Sequence, residues 1–337
     1  MNVLTDRHHA DLLESMHMLF ADRFGMDVYV PVGHEWWDEG YWSFGRGTWP
    51  DDRLAQQYLS IEGHWRQAGV FYETRDGSHP ERVLRGVTLG QARTMPWAYV
   101  MATVQDNQSG FAQFARETGA QYLLQVGNTG QYVDWSLDPL ALMSSEVPTG
   151  GRFVRMHQPF DHDGIFRYRP PVPSNRIASF LNNMPYIECW PVLQRYREAL
   201  PDFSWAVHGI AGPDGILQPV QAIADAMAAC AFVWHDKAHG DGFGHVIHNA
   251  AAVGRPLIGH ASHYWGMVPH HLWRDGETCI DLDQRSFDEN VALIRAIAAD
   301  PERHRAMCER IRAEFDTIRW EDEAAAIGQF LGITVAA

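Results

Sequence analysis

Short apolar runs alternate with amphipathic stretches of helical period twice along the chain, and this alternation restricts the fold more than any other feature. In the first series, NVLTD (residues 2–6) reads as a buried strand. A helical stripe follows, made of Leu12, Leu13, Met16, Leu19, Phe20 and Phe24, with Gly25 as its stop. MDVYVPV (26–32) reads as the next strand. The pattern continues with the strand WAYVMATV (97–104), the helix GFAQFARETG (110–119), the strand AQYLLQVGN (120–128) and the run RFVRMHQPF (152–160), which closes the first sheet. Strand, helix and strand in this order predict right-handed parallel units.

The stretch RYRPPVPSN (167–175) is the natural linker, because clustered prolines stop regular structure and stiffen the path. The alternation then restarts. RIASFLN (176–182), FSWAVHGI (203–210), AFVWH (231–235), RPLIGH (255–260) and TCIDL (278–282) read as strands. WPVLQRYREALP (190–201), PVQAIADAMAAC (219–230) and HVIHNAAAVG (245–254) read as helices between them. Residues 286–316 give two helices broken near Pro301, and WEDEAAAIGQFLG (320–332) gives a terminal helix. The expected division is residues 1–170, residues 171–318, and a terminal helix in 319–337 that packs back on the first domain. Two doubly wound α/β domains joined by a stiff hinge bind ligands in the cleft between them.

A length of 337 residues suits two domains, and 46% hydrophobic residues suffice for sizeable cores. The formal net charge of -15 counts against a broad nucleic-acid footprint, which shows as a basic patch, while leaving a local basic groove open. Basic residues are almost all arginine, and Lys237 is the only lysine. Cys189, Cys230, Cys279 and Cys308 have neither zinc-site nor disulfide-scaffold spacing, which predicts reduced thiols in a cytoplasmic protein. The first residues show no charged-then-apolar signal pattern, and no apolar run nears the ~18 residues of a membrane helix.

The densest polar stretch is WHDKAHGDGFGHVIHNAAAVGRPLIGH (234–260). A buried strand ends there, a loop with Gly240, Gly242 and Gly244 follows, and then an alanine-rich helix. Glycines let the backbone approach a ligand, and helix N-terminal amides favour phosphate oxygens. A bland structural turn with surface histidines is the competing reading, and for Lys237 a solvated surface position competes with a phosphate contact.

This stretch resembles the nucleotide-sugar half of GT-B glycosyltransferases, in particular the large retaining family with an acidic-Gly-Phe-Gly motif. Asp241 takes the acidic position, Gly242, Phe243 and Gly244 follow, and Asn249 stands where a second glutamate would stand. Ala250, Ala252, Gly254 and Pro256 match the downstream pattern. Over the first half of the chain the resemblance rests on architecture alone. It implies a GT-B arrangement of two Rossmann-like domains facing across a cleft. Asp241 would hold donor-sugar hydroxyls, the backbone of Phe243 and Gly244 would face the sugar-phosphate, and Asn249 would reach the ribose through an amide in place of a carboxylate. The family also carries an arginine and a lysine after the first strand of this domain, but here that place reads FLNNMPYIECW, with no basic residue. Lys237 is expected to supply the missing charge, with Arg176 as a more distant second.

In the first half, candidates are sought where strands end, because GT-B acceptors bind on such loops. His8 and His9 follow the first strand and suit a base or a phosphate contact, against a plain polar helix start. Asp106 follows WAYVMATV and suits a catalytic base, against an N-cap. HEWWDEGYW sets Trp36, Trp37, Tyr41 and Trp42 beside Glu35, Asp38 and Glu39; sugar stacking competes there with core packing. Asp161, His162 and Asp163 read as a turn rather than a metal cluster, since adjacent side chains diverge.

The expected function is transfer of a sugar from a nucleotide-sugar to a hydroxyl acceptor: a small molecule, a polysaccharide, a protein or a modified DNA base. Asp106, His9 and Asp241 would be catalytic, and Lys237, Gly242, Phe243, Gly244 and Asn249 would bind the donor. No metal and no cofactor are required by this reading. A nucleotide-sugar epimerase on the same fold and a catalytically silent binding protein are the alternatives.

Overall fold

A computed structural model describes residues 1–6, 15–31, 33, 35–43, 85–127, 130–145, 150–158 and 164–333. The chain divides into two compact units, Met1–Phe160 with Trp320–Ala337, and Asp161–Arg319.

The first unit is built on β1 (Asn2–Thr5), β2 (Asp27–Pro31), β3 (Arg85–Val87), β4 (Trp97–Ala102), β5 (Gln121–Val126), β6 (Leu140–Met143) and β7 (Arg152–Arg155). They pair in the order β3-β2-β1-β4-β5-β6-β7, parallel throughout. Successive side chains of a strand point to opposite faces, and the two cores follow this period. Val3, Met101 and Leu123 join one cluster, while Leu4, Val100, Ala102 and Leu124 join the other. Helix α1 (Gln108–Thr118) covers the second face with Phe111 and Phe114. Gly110 permits this packing, because a Cβ there would lie 2.2 Å from the Tyr41 carbonyl oxygen.

The sequence reading missed β3 and β6. It also expected one regular helical stripe before Gly25, whereas Met18–Arg23 forms a wider π turn that Gly25 ends at φ +63°. The aromatic stretch after Gly33 folds inward. Trp36, Trp37 and Trp42 are buried, and Trp37 stacks on Trp42 at 4.3 Å. Glu35 accepts from the Leu89 amide, Glu39 pairs with Arg93, and the Tyr41 hydroxyl donates to Glu117. Core packing, not a sugar platform, is what this cluster does.

The second unit carries β8 (Arg176–Ser179), β9 (Ser204–Val207), β10 (Phe232–Trp234), β11 (Leu257–Gly259) and β12 (Cys279–Asp281) in the order β12-β11-β10-β8-β9, again parallel. Helices α2 (Trp190–Ala199), α3 (Val220–Ala228), α4 (His245–Val253), α5 (Phe287–Ala298) and α6 (Pro301–Phe315) accompany it. Ser286 and Glu289 form a capping box at α5, and Asp300 caps α6 ahead of Pro301. Arg255 is buried, with its guanidinium donating to the carbonyls of Ala228, Gly254 and Arg169, so one cation satisfies the ends of α3 and α4. Helix α7 (Trp320–Leu331) belongs to the first unit, where Tyr99 donates to the Leu331 carbonyl at 2.8 Å. Among the described residues no helix is long and apolar enough to cross a membrane.

Candidate active site

Both sheets reverse their strand order at one place: between β1 and β4 in the first, and between β8 and β10 in the second. Ligands of doubly wound sheets bind outside the carboxyl ends of the strands at such a switch point. The loop leaving β10 is the glycine-rich one. Gly240, Gly242 and Gly244 all adopt positive φ (68°, 53° and 71°), a conformation other residues reach only with strain. Phe243 is buried and stacks on His248 at 3.9 Å with an 8° interplanar angle. Turning this ring inward locks the backbone at the start of α4, whose N-cap residue is Gly244, with no side chain of its own to cap the helix. A helix start of that kind favours anionic oxygens.

Lys237 and Asp241 form an ion pair one helical turn apart in sequence, and His235 Nε2 lies 3.4 Å from the other Asp241 oxygen. Lysine has three donors, so this pairing leaves the ammonium able to bind a second anion. Burial pushes the Asp241 carboxyl up, but the hydrogen bond from His235 and the charge of Lys237 outweigh it and hold the group at about 2. The pair therefore gives Asp241 a structural share in the loop. Its contribution to folding, roughly 2 kcal/mol, is present above about pH 4 and lost as pH falls through about 2. In urea titrations, Asp241→Asn should be less stable than wild type at pH 7, with the difference shrinking as pH falls from about 4 through about 2. A constant difference across that range would remove the pair from the stability of the loop.

Asn249 lies on α4 and is buried at 7% exposure. Arg176 starts β8, yet its guanidinium reaches within 3.4 Å of His208 Nε2, just beyond the end of β9. It stands as a second cation on this sheet. Tyr186 and Ile210, on the loops that follow β8 and β9, are exposed.

In the first unit, Asp106 sits in the short turn Gln105–Asn107 directly after β4 and is exposed. It is not the helix cap: Asn107 occupies that position for α1, without a capping bond. Asn107 is instead held by Asp6, a fully buried carboxylate at the end of β1. Asp6 accepts from Asn107 Nδ2 at 2.8 Å, from the Thr103 amide at 3.0 Å and from the Thr103 hydroxyl. Burial raises the Asp6 carboxyl, against these donors. The network ties the ends of β1 and β4 together at the switch point, beside Asp106. His8 and His9 lie outside the described residues, as do Asp161, His162 and Asp163.

Sequence reasoning missed a second polar group. Asp236, buried after β10, accepts from His260 Nδ1 at 2.9 Å and from His263 Nδ1 at 3.0 Å. Burial alone would raise Asp236, yet the two imidazoles hold it well below the usual carboxylate range, and Asp236 in turn raises His260. The only local signal was the pair of histidines three apart, just after an apolar strand. All four cysteines are unbridged and buried.

No protein-family model matches the chain, and no curated protein matches it in sequence. Solved structures do match it. A crystal structure of Anabaena HepE in complex with UDP-glucose has a TM-score of 0.63 at 13% identity, over 98% of this chain and 99% of that one. Sucrose-phosphate synthase from Thermosynechococcus elongatus gives a TM-score of 0.66 at 12% identity, over 98% of each chain. An alpha-glucosyltransferase in complex with UDP and a 13-mer DNA gives 0.62 at 8% identity, over 98% of this chain and 99% of that one. At these identities the likeness establishes the fold: two Rossmann-like α/β domains of the GT-B class.

Proposed function

We propose that the chain is a glycosyltransferase that moves a sugar from a nucleoside-diphosphate sugar to a hydroxyl acceptor. The observation that carries this reading is the Lys237–Asp241 pair, set in a triple-glycine turn between β10 and the glycine-started helix α4. That turn offers one cation, one carboxylate and a helix N-terminus at a strand end beside the switch point. A sugar diphosphate needs all three: positive charge for the phosphates and an acceptor for the sugar hydroxyls. The solved structures of the same fold that hold UDP or UDP-glucose favour uridine diphosphate as the carrier.

In this reading Lys237 and the α4 amides hold the diphosphate and stabilise it as it departs. The backbone of Gly242, Phe243 and Gly244 lies along the sugar-phosphate. Asp241 accepts from sugar hydroxyls, and Asn249 serves the ribose. The exposed Tyr186 and Ile210 give the base an apolar surface. Asp106 takes the proton of the acceptor hydroxyl as its oxygen bonds to the anomeric carbon and the diphosphate leaves, and His9 stays a candidate base on its sequence alone. No step passes through a metal.

A mass-spectrometric screen with UDP-, ADP-, GDP- and CMP-sugars tests this reading. Release of the free nucleotide with loss of one donor, by transfer or by slow hydrolysis, is expected. A donor isomerised without nucleotide release would overturn it in favour of an epimerase. No turnover of any donor would leave a binding protein on an enzyme fold.

A further inference from the structure

Three neighbouring strand ends bring together side chains that the proposed sugar transfer does not use. Cys189 precedes α2 on the connection from β8, Asp236 follows β10, and His263 lies in the turn after β11. β8, β10 and β11 are adjacent in the sheet. The Cys189 sulfur, an Asp236 oxygen and a His263 ring nitrogen all lie within 4.8 Å of one another. Cys189 and Asp236 are buried, and the His263 side chain is 23% exposed.

We propose that Cys189, Asp236 and His263 form a binding site for a divalent transition-metal ion of zinc's chemistry. The donor set, one thiolate, one carboxylate and one imidazole, suits zinc and its borderline-soft neighbours rather than magnesium or calcium, which take oxygen. Bonds of about 2.0–2.3 Å in a tetrahedron set ligand atoms roughly 3.3–3.7 Å apart. Ligand atoms no more than 4.8 Å apart therefore need at most roughly 1.5 Å of movement, within reach of a partly exposed histidine on a short turn.

Two further features favour a cation here. His260 holds the second oxygen of Asp236 from outside the triad, as partners of metal-bound carboxylates do. Asp281 and Asp283 accept from the Ala261 and Ser262 amides at 3.0 Å and 3.1 Å, adding negative charge against the His263 turn that attracts a cation. Gly240 makes the approach feasible. A Cβ at that position would stand 2.5 Å from the His263 carbonyl oxygen and 2.4 Å from Met267, so only glycine lets the His263 turn lie against this loop.

On binding, the Cys189 thiol gives its proton to solvent as the metal–sulfur bond forms. The His263 proton moves from Nδ1 to Nε2, and the metal keeps its oxidation state. Three protein ligands leave a fourth position for a water. The site stands independently of the sugar-transfer reading, because neither Lys237 nor Asp241 belongs to it.

Cobalt(II), then zinc(II), added to the dialysed full-length protein tests the proposal. One equivalent of cobalt should bind, with the near-ultraviolet charge-transfer band of a cobalt–thiolate bond, and zinc should displace it. Cys189→Ser should abolish the band and weaken binding at least roughly tenfold, and His263→Ala should weaken it similarly, with the fold checked by circular dichroism. If Cys189→Ser fails to fold, His263→Ala carries the same reading. A folded wild type that binds neither ion at micromolar concentration, cobalt bound without the charge-transfer band, or a His263→Ala affinity equal to wild type would overturn it.

Discussion

Asp106→Asn should slow sugar transfer by roughly 10²–10⁴-fold, the usual contribution of a positioned general base, while donor binding stays intact. The product should have inverted anomeric configuration. This variant isolates chemistry from stability. Asp106 is exposed and caps neither its own turn nor α1, so exchanging its carboxylate for an amide disturbs no described hydrogen bond. Its placement depends on the next residue: Asn107 donates to buried Asp6 and accepts from the Ser43 amide at 2.9 Å, which fixes the turn against the end of β1. Full activity of Asp106→Asn, with retained configuration in the product, would take Asp106 out of the reaction and favour the base-free chemistry of a retaining enzyme.

Lys237→Ala should weaken nucleoside-diphosphate binding by roughly 10–150-fold, the equivalent of about 1.5–3 kcal/mol for one charge-assisted contact, and leave nucleoside binding unchanged. The chain has no other lysine, and arginine would not replace it neutrally, because a planar fork meets the Asp241 carboxylate in a different geometry. The variant also leaves Asp241 with His235 alone, so its carboxyl should titrate at higher pH than in wild type. Equal diphosphate affinity in wild type and variant would assign Lys237 to the stability of the loop only.

The parallel α/β architecture was legible in the sequence because it depends on local period. Runs such as WAYVMATV and AFVWH are apolar enough to be buried on both faces, and the helices between them carry one apolar side. β6 escaped notice because its four buried residues follow a polar turn and match a strand and a helical turn equally well. β3 has three residues, of which only Val87 is buried. The glycine turn was legible too, since three glycines spaced by two can be read without knowing the fold. What the loop does with its charges was not. The pairing of Lys237 with Asp241 depends on the positive-φ turn between them, and Asp6 meets Asn107 across 101 positions of sequence. Cys189 gave no local signal at all, because its neighbours Asp236 and His263 come from other strand ends.

Isothermal titration of the full-length protein with UDP tests the central claim most directly. Saturable binding between about micromolar and millimolar affinity, the usual substrate range, is expected, with competition by a nucleotide-sugar and a clear loss in Lys237→Ala. No binding of UDP or any other nucleoside diphosphate up to roughly ten millimolar, well beyond that range, by protein that is folded and monodisperse, would contradict the account.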